Sequence, residues 1–207
     1  NTVPIAELTF DEASELAYFG AKILHPSTIV PAQKRGVPVR LKNTLDEQAP
    51  GTLISNRGTV GEVKEIAAKD GIIVINIKSS RMLLAFGFLR QVFEVFEKYK
   101  TPIDMISTSE VAVSLTIDDA KQLDAIVAAL QPFGTIEVDS NQTIISVVGN
   151  KIADKKGVLN EVFRSLDNVP VRMVSFGGSY NNISILVGRA DKEAALRALN
   201  EGLFGLK

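Results

Sequence analysis

Two stretches of the chain read as copies of one another. "GFLRQVFEVFEKYKTPIDMIS" (87–107) aligns with "GVLNEVFRSLDNVPVRMVS" (157–175) once a two-residue gap is opened in the second. Gly87, Leu89, Val92, Phe93, Pro102, Met105 and Ser107 then match Gly157, Leu159, Val162, Phe163, Pro170, Met173 and Ser175. In each copy apolar residues recur every three or four positions after the glycine, as on one face of a helix. Phe88, Leu89, Val92, Phe93, Phe96 and Tyr99 make that stripe in the first copy. The proline ends the helix, and an extended segment follows. Two like units are therefore expected, and any fold assigned to the chain has to contain both.

The flanking segments give both copies the same order of elements. "GIIVINIKS" (71–79) and "TIISVVGN" (143–150) precede the two helices and are β-branched runs suited to buried strands. After each proline a hairpin is expected, followed by a second helix, "DAKQLDAIVAALQPFG" (119–134) or "DKEAALRALNEGLF" (191–204). Their stripes are Leu123, Ile126, Val127 and Leu130 in one, and Leu196, Leu199 and Leu203 in the other. "TIEVDS" (135–140) closes the first copy as β-α-β-β-α-β, the ferredoxin-like order. The second copy stops at "FGLK" without a closing strand. A sheet position left unpaired exposes backbone groups, so "GEVKEIAAKD" (61–70) is expected to supply it. The expected division is 71–140 for the first unit, and 61–70 plus 141–207 for the second, with the first inserted in it.

Residues 1–60 lie outside the repeat. Thr9 with Glu12 three positions on has the capping-box pattern, Pro26 interrupts the segment that follows, and Gly36 marks a helix end. "VPVRLKN" and "TLIS" read as short strands, so this piece looks like the end of an α/β unit. Lys plus Arg (23) nearly balances Asp plus Glu (24), so no global field draws nucleic acid or an anionic membrane. The absence of Cys removes disulfides and thiolate chemistry and suits a cytoplasmic chain. With a single histidine, His25, a His-rich metal site or a Ser-His-Asp triad is not expected. His25, just before Pro26, is read as a hydrogen-bonded structural residue. The glycines match no phosphate-binding spacing.

The hairpin "TPIDMISTSEVAVSLTID" (101–118) is the most unusual stretch chemically, with Asp104, Ser107, Thr108, Ser109 and Glu110 close to buried strands. Such a corner either caps a turn or holds a ligand that carries an amine.

"FDEASELAYFGAKILHPSTIVPAQKRGVPVRLKNT" with the later "PGTLIS" resembles the end of the catalytic domain of the aspartokinase family, within the amino-acid-kinase fold. "GFL…VF…STSEVAVSLTID" is similar to the first of that family's tandem ACT domains, in their lysine-sensitive type. The resemblance covers essentially the whole chain. It implies an α+β fold of two interlocked ferredoxin-like βαββαβ (ACT) units behind a C-terminal remnant of the kinase domain. It also implies the regulatory region of an enzyme making 4-phospho-L-aspartate from ATP and L-aspartate, with feedback inhibition by an end-product amino acid. The family's KFGGTS-like start is absent, so no catalytic residue and no ATP turnover are expected of this stretch alone. ATP with Mg would serve the longer enzyme, and Lys22 matches a nucleotide-contacting lysine.

By the same resemblance, L-lysine, with L-threonine as the other choice, binds between first ACT units of a homodimer. Met82, Gly87, Phe88 and Leu89 would form one wall, and Ile103, Asp104, Ser109, Glu110 and Val111 the other. Gly87 admits close backbone approach, the helix start accepts a carboxylate, and Asp104 and Glu110 can meet ammonium groups. The second copy has "SFGGSYNN" at its corner and Arg172 in place of Asp104, so it is expected to be structural. A free-standing ACT-type sensor is the rival reading, and segment 1–55 argues against it.

Overall fold

The computed structural model describes residues 3–19, 24–82 and 86–206. It opens with a small α/β piece: β1 (Glu7–Thr9), α1 (Phe10–Tyr18), α2 (Pro26–Arg35), β2 (Val39–Leu41) and β3 (Thr52–Ser55). The strands form a sheet in the order β1-β3-β2, with β1 parallel and β2 antiparallel to β3. The capping box at α1 is complete, since Glu12 N–H donates to Thr9 Oγ1 (3.1 Å) and Thr9 N–H donates to Glu12 Oε2 (2.7 Å). Gly36 ends α2 in the left-handed region at φ 63°. His25 is the N-cap of α2, its ring Nδ1 accepting from the Ser27 amide.

Ten further elements complete the chain: β4 (Val63–Lys78), α3 (Phe88–Lys98), β5 (Ile106–Thr108), β6 (Ala112–Ile117), α4 (Leu123–Leu130), β7 (Thr135–Gly149), α5 (Val158–Ser165), β8 (Val171–Ser175), β9 (Asn182–Gly188) and α6 (Lys192–Phe204). The six strands make one sheet in the order β5-β6-β4-β7-β9-β8. β4 and β7 pair antiparallel from Val63↔Gly149 to Lys78↔Thr135. Of β4, only the second half, Ile73 to Lys78, pairs with β6, and of β7 only the second half, Gln142 to Val148, pairs with β9. Each half of the central pair thus joins its own hairpin, and the result is two interlocked ferredoxin-like units.

The sequence separates each central strand into two pieces, whereas the chain runs each without a break. The register slips between Asp70 and Val74, where Gly71 (φ 77°) and Asn141 (φ 61°) take the left-handed backbone that a bulge needs. One strand can then turn from the plane of one unit into that of the other. Helix α4 is shorter than its apolar stripe suggests. The Asp119 side chain accepts the Lys121 amide (2.9 Å), a local turn that holds the preceding residues out of the helix, and Pro132 sits in the 3-10 turn that ends it.

The repeat is visible in the packing. Gly87 and Gly157 both begin helices at φ 81° and 82°, Val92 and Val162 are both fully buried, and Met105 and Met173 face the same core. α3 and α4 cover one sheet half around Val92, Phe96 and Leu115. α5 and α6 cover the other around Val162, Ile185 and Leu199. Each large side chain so buried contributes about 1.5–3 kcal/mol. The opposite face of the sheet holds Ile72, Val74, Ile144, Val148 and Leu186, and is packed by Phe10, Leu16 and Phe19 from the front piece. The front piece therefore shares a core with both units.

Candidate functional site

The polar corner lies beside the start of α3. Val111 O accepts the Ser79 amide (2.9 Å) and Ala112 O accepts the Ser109 amide (2.8 Å), which fixes the hairpin tip against the segment leading into the helix. Met82, Gly87, Phe88, Leu89, Ser109, Glu110 and Val111 are gathered at this end. Phe88 is buried against Phe133, ring centroids 6.0 Å apart, while Met82 and Leu89 pack half-buried on the same core. Gly87 gives the helix no side-chain cap, and no acidic residue lies in its first turn. The first amides of α3 are thus free of both, so the positive end of the helix dipole can take a carboxylate. Ser109, Glu110 and Val111 are exposed. The start of α3 and the Glu110 carboxylate thus lie at the same end of the unit.

Ile103 and Asp104 sit elsewhere. The Asp104 amide donates to Thr116 O (2.9 Å), at the opposite end of the hairpin from Ser109. Five residue steps separate them, roughly 16 Å of extended chain at about 3.3 Å each. A free amino acid is much shorter than that. Within one chain, Asp104 and Glu110 do not converge on one ligand, so the expected second wall is divided between two ends of the unit.

The surroundings of Asp104 are themselves a charged cluster. Lys69 Nζ donates to Asp104 Oδ1 at 2.8 Å, and Asp118 Oδ2 lies 2.8 Å from the same ammonium. The Asp104 side chain is 3% exposed and its Oδ2 is buried without a hydrogen-bond partner. Burial pushes the Asp104 carboxyl up, and the Lys69 hydrogen bond offsets this only in part. Burial pulls the Lys69 ammonium down, but its two carboxylates outweigh that and its pKa sits above the ordinary value. The Lys69 ammonium also lies 5.5 Å from the centre of the Tyr18 ring, on α1.

The second corner is occupied by the protein itself. Ser179 Oγ donates to Glu15 Oε1 (2.6 Å) and Asn182 Nδ2 to Glu15 Oε2 (2.7 Å), joining this corner to α1. Arg172, in the place of Asp104, pairs with Asp139. Lys22 lies outside the described residues. Sequence reasoning missed Lys69, Asp118 and Glu15, and only Asp118, inside the hairpin stretch, carried any signal. Among the described residues no group of three or more His, Asp or Glu side chains is arranged to hold a metal ion, and no helix is long and apolar enough to cross a membrane.

Paired, interlocked ferredoxin-like units are the architecture of a regulatory region of the ACT class. Residues 145–203 match the ACT domain family. The chain belongs to the aspartokinase family and corresponds to its C-terminal regulatory part. It is 37% identical to aspartokinase 3 of Arabidopsis thaliana over 97% of its own length and 38% of that enzyme's. It thus spans about two-fifths of that relative. A putative C-terminal regulatory domain of aspartate kinase from Porphyromonas gingivalis is 49% identical, covering 68% of this chain and 96% of that one with a TM-score of 0.62. Aspartokinase III of Escherichia coli in complex with lysine and aspartate, in its T-state, superposes with a TM-score of 0.84 at 32% identity, covering 97% of this chain and 46% of that one.

Proposed function

We propose that this chain is the feedback-inhibition region of an aspartate kinase that transfers a phosphoryl group from ATP to L-aspartate, with L-lysine as the inhibiting end product. The observation that carries this reading is the α3 corner, where an uncapped helix start and exposed Glu110 lie at the same end of the unit. The amides would receive the effector's carboxylate and Glu110 an ammonium group, both as charge-assisted bonds. The lysine-bound E. coli relative supports lysine over threonine. In the longer enzyme ATP with Mg is the phosphoryl donor, and Lys22 is its contact in this stretch.

Because Asp104 and Glu110 lie at opposite ends of one hairpin, a complete pocket draws one wall from each of two copies. The first ACT unit would span 71–140, and the second 61–70 plus 141–207, behind a kinase-domain remnant at 1–60. Strand β5 is exposed at all three residues, Ile106 to Thr108, and offers an edge for a second copy. Lysine that binds this dimer better in the inactive arrangement shifts the population toward it.

Calorimetric titration with lysine and threonine tests the effector, and Glu110→Ala in the longer enzyme tests the site. A hydrogen bond to a charged group is worth roughly 1.5–3 kcal/mol. Its loss is expected to raise the inhibitory lysine concentration about tenfold or more, at 1.4 kcal/mol per factor of ten. If Glu110 serves only the turn, the variant melts earlier and its inhibition curve stays in place.

A further inference from the structure

Helix α1 touches the second ferredoxin-like unit directly and reaches the first through Lys69. Glu15 binds Ser179 and Asn182 of the second, and Tyr18 lies over Lys69, which holds Asp104 and Asp118 of the first. Each of these contacts joins residues far apart in sequence, so none is a local accident of helix or turn. The cluster on the first unit is unbalanced. Among the described residues the charges acting on Asp104 are Lys69 and Asp118, one ammonium shared between two carboxylates. The missing positive charge has a place to go, because Asp104 Oδ2 is buried and takes no hydrogen bond while Oδ1 is held by Lys69.

We infer that Lys69 is the positioning residue that reports effector binding to the catalytic side. An effector ammonium taking the second oxygen of Asp104 competes with Lys69 for the same carboxylate, and Lys69 moves from beneath Tyr18. Two cations on one carboxylate repel one another, and the attraction of each is weaker than when it holds the group alone. The last turn of α1, which carries Tyr18 and no basic residue of its own, loses the cation held against that ring. The coupling is thus an exchange of partners at one carboxylate and needs no movement of the sheet. It rests on the assignment of Asp104 to the effector site made above.

The experiment pairs calorimetry with amide hydrogen exchange on the 207-residue chain, using L-lysine with L-threonine in parallel. In the wild type, lysine is expected to speed exchange in the last turn of α1 about fivefold or more, the lower range of measured couplings. Lys69→Met is expected to bind lysine still, with exchange there already fast and indifferent to lysine. Lys69→Arg keeps a cation and restores the response. Tyr18→Leu leaves the cluster intact on a half-exposed position, and should bind lysine normally without the response in α1. A Lys69→Met or Tyr18→Leu chain that binds lysine and responds like the wild type overturns the inference. So does a wild type that binds without any change in α1. No heat of binding from either amino acid overturns the effector reading itself, and is seen before any exchange is measured.

Discussion

At Asp70 three donors meet on one carboxylate. Lys192 Nζ and Thr143 Oγ1 donate to it at 2.7 and 2.9 Å, and Arg189 stands 3.5 Å away. The Lys192 hydrogen bond is the main reason that this carboxyl lies below its ordinary pKa. A carboxyl lowered in the fold stabilises it above the unfolded value of about 3.9, and that stabilisation is lost as pH falls through the lower folded value. Asp70→Asn should therefore melt below the wild type at neutral pH, with the gap closing as both are taken into acid. The gap is expected to stay under about 1 kcal/mol, as for other partly exposed ion pairs. Thermal melts from pH 7 downward check it, and a gap that widens in acid would contradict the assignment. The donors lie far from Asp70 in sequence, Asp70 being in β4 and Lys192 at the start of α6, which is why no motif announced them. Thr9 with Glu12 was legible for the opposite reason, since both bonds close within one turn of chain.

Among the elements, the pair α5 and α6 shows how closely the second unit is packed. A Cβ built on Gly202 would stand 2.0 Å from Ser165 Oγ and 2.8 Å from Ser165 Cβ. Helix propensity alone predicts that Gly202→Ala stabilises α6 by about 0.5–1 kcal/mol. The contact decides otherwise, because two helices have to move apart to admit the methyl group. A net loss of about 1–3 kcal/mol is expected, as for other overpacked cores. Urea unfolding measures it, and a gain in stability would show that the helices do not touch there. The apolar stripes on α3, α4 and α6 were readable from periodicity, and their residues line the helix-side cores except Val127 of α4, which is in neither. The length of α4 was not, because the turn at Asp119 competes with the helix through a hydrogen bond that periodicity does not record.

Across the whole molecule, one face of the sheet is covered by the front piece and the other by four helices, while β5 is exposed at all three residues. Ile106 on that edge is 43% exposed and borders an apolar groove with Phe93, Phe96, Pro102 and Ile103. Sedimentation is expected to give a dimer, and Ile106→Lys a monomer with little change in melting temperature. A wild-type monomer that binds lysine tightly would exclude a pocket shared between copies. The sequence by itself determined that two like units exist, which residues face their helices, and the family to which the chain belongs. These are local or repeated patterns, and burial on one face of a helix or strand leaves a periodic mark. Only the tertiary structure decided that β4 and β7 run unbroken through both units, and that Asp104 stands apart from Glu110 with Lys69 and Tyr18 around it. Those outcomes depend on strand register and on ion pairs between distant segments, and a one-dimensional pattern of apolar residues does not encode which charges a register brings together.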